Sequence, residues 1–289
     1  MHSLLEILMQ PFATEFMRKA VLASVLLGTI CGLVGTYVVL RKMAFLAGAL
    51  CHTILPGVAL GYFHKFNILI CALSSSVLAA VGISALTRNG RLREDTAIGI
   101  VFTTMFAIGI IYISSQQSFR DLTAILFGNI LAVTNEDLLL LSCLLFLSIM
   151  VLTAFYKEIM LSTLDEDYAR SIGVPVEGVR LIVVILTAVA VVFAMQAVGV
   201  VMTAALLITP AASAYLLTKR LLVMVLLSCF FATSSAVAGL YVSWYGNLPT
   251  GPVIVLCATF QFLASFLWTS IQVQSCKLVN NVLNRVVST

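Results

Sequence analysis

Of three histidines in this chain, His2, His52 and His64, only His52 stands deep inside an apolar run, Leu46-Ala47-Gly48-Ala49-Leu50-Cys51-His52-Thr53-Ile54-Leu55-Pro56-Gly57. An ionisable side chain in a membrane helix is costly and marks a functional site by default. Imidazole ligates zinc, manganese and iron, so His52 offers metal chemistry; the competing reading is an imidazole hydrogen-bonded to a neighbouring helix for packing alone. Cys51 points about 100° away around a helix and reads as structural. Pro56, four residues after His52, has no amide hydrogen, which frees the His52 carbonyl and predicts a kink beside the imidazole. Gly57 with Gly61, and Gly28 with Gly32, have the small-x-x-x-small spacing of close helix contacts.

A second cluster lies in a polar segment, Thr163-Leu164-Asp165-Glu166-Asp167-Tyr168-Ala169-Arg170-Ser171-Ile172-Gly173-Val174-Pro175. Acids in the first turn, Arg170 near the end and Gly173 as the stop predict a short surface helix. If a cytoplasmic partner docks on this chain, this is the segment it must use. The seven cysteines, Cys31, Cys51, Cys71, Cys143, Cys229, Cys257 and Cys276, form no C-x-x-C pair, and six lie in apolar runs. They read as small hydrophobes rather than a disulfide framework or zinc site.

These residues must be held by membrane helices. The chain has 289 residues, of which 61% are hydrophobic and 10% charged, and its mean hydropathy is +1.12; a soluble core cannot hide that much apolar side chain. The net charge of +4 is small and dispersed, unlike the clustered basic face of a nucleic-acid binder. Near-charge-free stretches run from Ala20 to Leu40, Met43 to Phe63, Phe66 to Leu86, Thr96 to Ser114, Asp137 to Phe155, Val179 to Val198, Gly199 to Thr218, Leu221 to Trp244 and Val253 to Val273. They predict an all-α polytopic bundle of about nine spans, or eight if Gly199 and Pro210 mark one broken helix. The apolar core from Leu122 to Val133 is too short to cross and predicts a half-buried helix on the outer side. Glu6, Gln10, Pro11 and Glu15 interrupt the first apolar run, so no secretory leader is expected.

Counting loops alternately, those holding residues 41/42, 88/91/93, 157/170/180, 219/220 and 277/285 carry twelve basic residues, against four (Arg18, Lys19, Lys65, Arg120) on the other side. The richer side is read as cytoplasmic, which puts the amino terminus outside and the carboxyl terminus inside. No Gly-x-x-x-x-Gly-Lys-Ser/Thr loop occurs, so the chain is not expected to bind ATP; no His-Glu-x-x-His occurs either, so a membrane metalloenzyme is not expected. A proton-coupled secondary transporter of a small cation is the alternative; it would need intramembrane carboxylates, and here acids such as Glu94, Asp95 and Asp137 sit only at span ends.

Six motifs in order resemble the permeases of zinc, manganese and iron ABC importers, over nearly the whole chain: Val38-Val39-Leu40-Arg41-Lys42-Met43 leading into Ala49 to Gly57; Glu94-Asp95-Thr96-Ala97-Ile98-Gly99-Ile100; Leu126-Phe127-Gly128-Asn129-Ile130-Leu131; Asp167 to Gly173; Ala205-Leu206-Leu207-Ile208-Thr209-Pro210-Ala211-Ala212; and Leu248-Pro249-Thr250-Gly251-Pro252. The resemblance implies a type II importer fold, with residues 1–289 as one transmembrane permease domain and residues 163–175 as its coupling helix. It implies no resident cofactor and no enzymatic activity in this subunit. The expected partners are cytoplasmic ATP-binding subunits, an extracytoplasmic metal-binding protein and a second permease subunit, in a bacterial inner membrane. By the same resemblance His52 is a ligand for the passing divalent metal, and Asp165, Asp167, Ala169, Arg170 and Gly173 belong to the ATPase contact. Relatives carry Gly-Asp-Ala-Leu-Ser-His, an acid and an imidazole four apart; here the acid position is Gly48.

Overall fold

A hydrocarbon layer offers no partner to a free backbone amide or carbonyl, so long apolar runs close their hydrogen bonds within themselves as helices. The computed structural model describes residues 14–87, 92–115, 130 and 133–287, with side chains described through residue 272 except at 94, 196, 197, 200 and 201. Its helices are α1 (Glu15–Leu40), α2 (Ala44–Thr53), α3 (Leu55–His64), α4 (Ile68–Thr87), α5 (Glu94–Ser115), α6 (Asn135–Ala154), α7 (Tyr156–Leu164), α8 (Glu166–Ser171), α9 (Val176–Val198), α10 (Val200–Leu217), α11 (Leu221–Gly246) and α12 (Thr250–Val287). No strand occurs among the described residues. The sequence expectation of an all-α polytopic bundle holds.

Counting α2 and α3 as one broken span, eight helical segments among the described residues are long and apolar enough to cross a membrane. The ninth apolar segment, α10, is 18 residues long, roughly 27 Å at 1.5 Å per residue. Gly199 separates it from α9 with φ 82° and ψ 168°, a region essentially reserved for glycine. The chain turns back at this one residue, whereas Pro210 sits inside a continuous α10. The Gly199–Pro210 stretch is therefore the start of a returning helix and not a broken continuation of α9. Most of the apolar core from Leu122 to Val133 lies outside the described residues, but Ile130 and Val133 are buried.

Side-chain contacts sort the loops onto two faces. At the end of α1, the Arg41 guanidinium donates to Ser162 and Thr163 at the end of α7, which puts the 41/42 turn and the α7–α8 segment on one face. At the opposite face Phe16 meets Trp244, ring centroids 5.5 Å apart, and the Tyr112 hydroxyl lies 3.0 Å from His64 Nδ1. Helix α11 runs antiparallel to α1, so α10 ends on the face where α9 begins. Among the described residues this grouping matches the two sets of loops from the charge count; Arg88, Arg91 and Arg120 lie outside them.

Two of the small-residue spacings prove to be helix contacts. A Cβ on Gly28 would come within 2.7 Å of Thr233 Cα, and one on Gly32 within 2.6 Å of Cys229 Cα, so α1 and α11 touch backbone to backbone. The Ser228 hydroxyl donates to the Gly32 carbonyl across that seam at 2.9 Å. Gly57 abuts the Cys71 carbonyl and Gly61 approaches Ile68, which seats α3 on α4. Cys31 and Cys51 are buried, Cys143 is exposed, and all described cysteines are free, as a set of small hydrophobes in helices should be.

Candidate functional site: the broken span and the short polar helix

The break beside His52 falls at Ile54, where α2 ends; Leu55 opens α3 with Pro56 in its first turn. The His52 carbonyl is not left free, because the Ile54 amide donates to it. The Thr53 carbonyl is bonded from outside the helix, by the Ser75 hydroxyl of α4 at 2.7 Å. A neighbouring helix thus stitches the gap that the proline opens, as broken membrane helices require. Ser75 had no signature in the sequence beyond a hydroxyl in an apolar run.

The His52 imidazole makes T-shaped contacts with two rings of α5, 5.5 Å from Phe102 and 5.8 Å from Phe106 by centroid. Its Nδ1 is buried with no hydrogen-bond partner, which removes the packing explanation based on a bond to a neighbouring helix. Cys51 beside it is fully buried and turned into the protein. One turn before His52, a Cβ on Gly48 would meet nothing within 4 Å. Position 48 is therefore an open space on the same helical face as the imidazole. Among the described residues no three His, Cys, Asp or Glu side chains gather as a metal-binding group. Asp137, one of the acids a proton relay would call on, closes a capping box with Thr134 at the start of α6.

The polar segment forms more structure than the sequence reading allowed: α7 as well as the short helix α8. Asp165 is the N-cap of α8, accepting from the Tyr168 amide at 2.9 Å. Gly173, at φ 86°, ends it: the Val174 amide donates to the Ala169 carbonyl at 3.0 Å and the Gly173 amide to the Arg170 carbonyl at 3.1 Å, a Schellman ending. Arg170 lies 3.8 Å from Glu166 and 3.2 Å from Glu177. Ala169 is fully buried, and Asp167 stands in the exposed first turn.

The structure thus brings the five residues singled out here into one small capped helix, but several of them build it rather than present it. What the segment presents is a broken apolar stripe that the motifs do not mark: Leu164 at the end of α7, Tyr168 within α8 and Ile172 at its C-cap, at 73%, 56% and 51% exposure. Exposed apolar side chains on a polar segment are what a docking surface requires.

A polytopic membrane protein with one span broken at a histidine and a capped helix projecting an apolar stripe has the parts of a transport permease. The model of the ABC 3 transport family matches residues 13–269. The chain is 41% identical over 253 residues to the manganese transport system membrane protein MntC of Listeria innocua serovar 6a, covering 88% of this chain and 90% of that protein. It is 33% identical over 263 residues to the chelated iron transport system membrane protein YfeC of Yersinia pestis, covering 91% and 90%. Its fold superposes on a chain of PsaBC from Streptococcus pneumoniae in complex with Fab at a TM-score of 0.80 and 35% identity, covering 91% of this chain and 95% of that one. The chain belongs to the ABC 3 transport family, the metal ABC transporter permeases that its six motifs resemble.

Proposed function

We propose that this chain is the permease subunit of an ATP-driven importer of divalent metal ions, with manganese or ferrous iron as cargo. The observation that carries the reading is His52: an imidazole whose buried Nδ1 has no hydrogen-bond partner, at the break of a span, on a face opened by Gly48. The names of the relatives support manganese and iron, whereas zinc rests on the resemblance of motifs alone. A lone imidazole binds a divalent ion weakly, which suits a conduit whose high-affinity capture belongs to an external binding protein. A second permease subunit, identical or not, completes the path and can supply the carboxylate that Gly48 lacks.

In this reading the face carrying α8 is cytoplasmic, and two ATP-binding subunits each take up one copy of the Leu164, Tyr168 and Ile172 stripe. The opposite face, with the 246–252 loop, receives the metal-binding protein. The membrane is the bacterial inner membrane. The reading is tested by reconstituting the complex in vesicles with its ATPase and binding protein and measuring manganese uptake on addition of ATP. Uptake that proceeds without ATP would reject it. Sidedness is read separately in a background free of native cysteines: Asn247→Cys should react with an impermeant thiol reagent added outside, and Lys219→Cys should not.

A further inference from the structure

We propose that Phe102 and Phe106 are positioning residues that orient the His52 imidazole for the metal, a role that rests on the reading of His52 as a cargo ligand. A metal-binding histidine generally donates its second ring N–H to an oxygen that fixes tautomer and orientation. His52 has no such partner: Nδ1 is buried without a hydrogen bond. What surrounds the ring instead is aromatic, Phe102 at an interplanar angle of 60° and Phe106 at 90°. An N–H that meets a ring face makes a weak hydrogen bond, and two phenyl rings are what stands beside this imidazole. Holding the proton on Nδ1 leaves the Nε2 lone pair for the metal.

The two rings are not incidental neighbours, because α5 is registered against the broken span along its length. Phe102, Phe106, Gly109 and Tyr112 follow one another at spacings of four, three and three, which is a single helical face. A Cβ on Gly109 would lie 2.9 Å from Leu55 Cβ and 3.1 Å from the Pro56 nitrogen, so α5 presses directly on the break. Beyond it Tyr112 bonds His64 at 3.0 Å. Contact below, at and above the break fixes where the rings stand relative to His52.

The test uses the assembled complex in vesicles with manganese ions as cargo. The double variant F102L/F106L keeps apolar volume and removes both ring faces; F102Y/F106Y keeps them. Loss of a supporting partner typically costs 10–100-fold in metal affinity or activity. The leucine variant should therefore lose about tenfold in maximal uptake rate, with the half-saturating metal concentration unchanged because the binding protein sets it. The tyrosine variant should stay near wild type. Nitrogen-15 spectra of the His52 imidazole should show a proton held on Nδ1 in wild type and a mixture of tautomers in the leucine variant. Full-rate uptake by the leucine variant overturns the proposal, as does a loss that the tyrosine variant shares or one that tracks a lowered melting temperature. His52→Ala separates the two levels: normal uptake in that variant removes the ligand reading itself, whereas lost uptake there with normal uptake in F102L/F106L removes only the positioning role.

Discussion

The surroundings of His52 and the helix α8 hold their residues in opposite ways. Around α8 the local chemistry is closed: Asp165 caps the start, Gly173 closes the end and Arg170 answers Glu166 and Glu177. What it leaves open is side-chain surface, Leu164, Tyr168 and Ile172. Around His52 the local chemistry is open: an imidazole nitrogen lacks a partner, the helix is interrupted, and one turn away there is no side chain at all. A docking element meets one partner for long periods and must keep its shape in the partner's absence. A transit site must bind and release on every cycle, so a fully satisfied site would be a trap.

This contrast breaks most visibly at the imidazole. His52→Ala removes the imidazole proposed to hold the metal, and manganese uptake in vesicles should fall by roughly 100-fold or more, the upper range for losing even a supporting group of a metal site. The complex should still assemble, because the ring contributes two aromatic contacts and no hydrogen bond. Uptake within a few-fold of wild type would mean that the open environment of His52 has another purpose.

Next in size is the stripe. Leu164→Asp or Tyr168→Asp puts a charge into the surface read as the ATPase contact while leaving the cap, the Schellman ending and the Arg170 pairs untouched. An interface anchor is worth about 2 kcal/mol or more, so co-purification of the ATP-binding subunits should weaken by about 30-fold. Ala169→Trp would be a poorer probe than its position in the motif implies, because that residue is buried and a bulky side chain disturbs α8 itself. ATPase binding that survives both aspartate variants would move the docking surface elsewhere.

A smaller effect separates frame from site. Gly32→Leu forces a side chain into the backbone of α11 at Cys229, and overpacking of this kind typically costs 1–3 kcal/mol. It should lower the melting temperature of the purified complex while leaving sidedness unchanged, since the charge distribution that sets orientation is untouched. An unchanged melting temperature would show that the α1–α11 seam opens readily.

The frame was readable in the residues because it follows from composition and length: apolar runs of about 20 residues have few other options in a bilayer. The Gly173 stop was readable because a helix ending depends on residues three to five apart; Asp165, expected among the first-turn acids, proves to be the N-cap. The partners of the break were not. Ser75 reaches Thr53 and the α5 rings reach His52 across distances that no local pattern encodes, and a Phe in an apolar helix looks alike whether it faces lipid or an imidazole. The α10 return was ambiguous for a related reason: Gly199 and Pro210 both interrupt helices, and only the conformation at Gly199, φ 82°, shows which one turns the chain.

The finest probe of the contrast is to close the open site. Gly48→Asp places a carboxylate one turn before His52, where a Cβ meets nothing within 4 Å. The substitution should fold, although an acid in a span is costly until it is paired. With metal present the carboxylate and imidazole share one ion, so the path should hold manganese more tightly, carboxylate being the harder ligand that manganese favours. Tighter holding opposes release: at saturating metal and ATP the maximal rate should fall a few-fold, while metal retained by the complex after washing should rise. A variant that retains no more metal than wild type would show that Gly48 does not face the ion, and that the missing carboxylate is supplied from another position or another subunit.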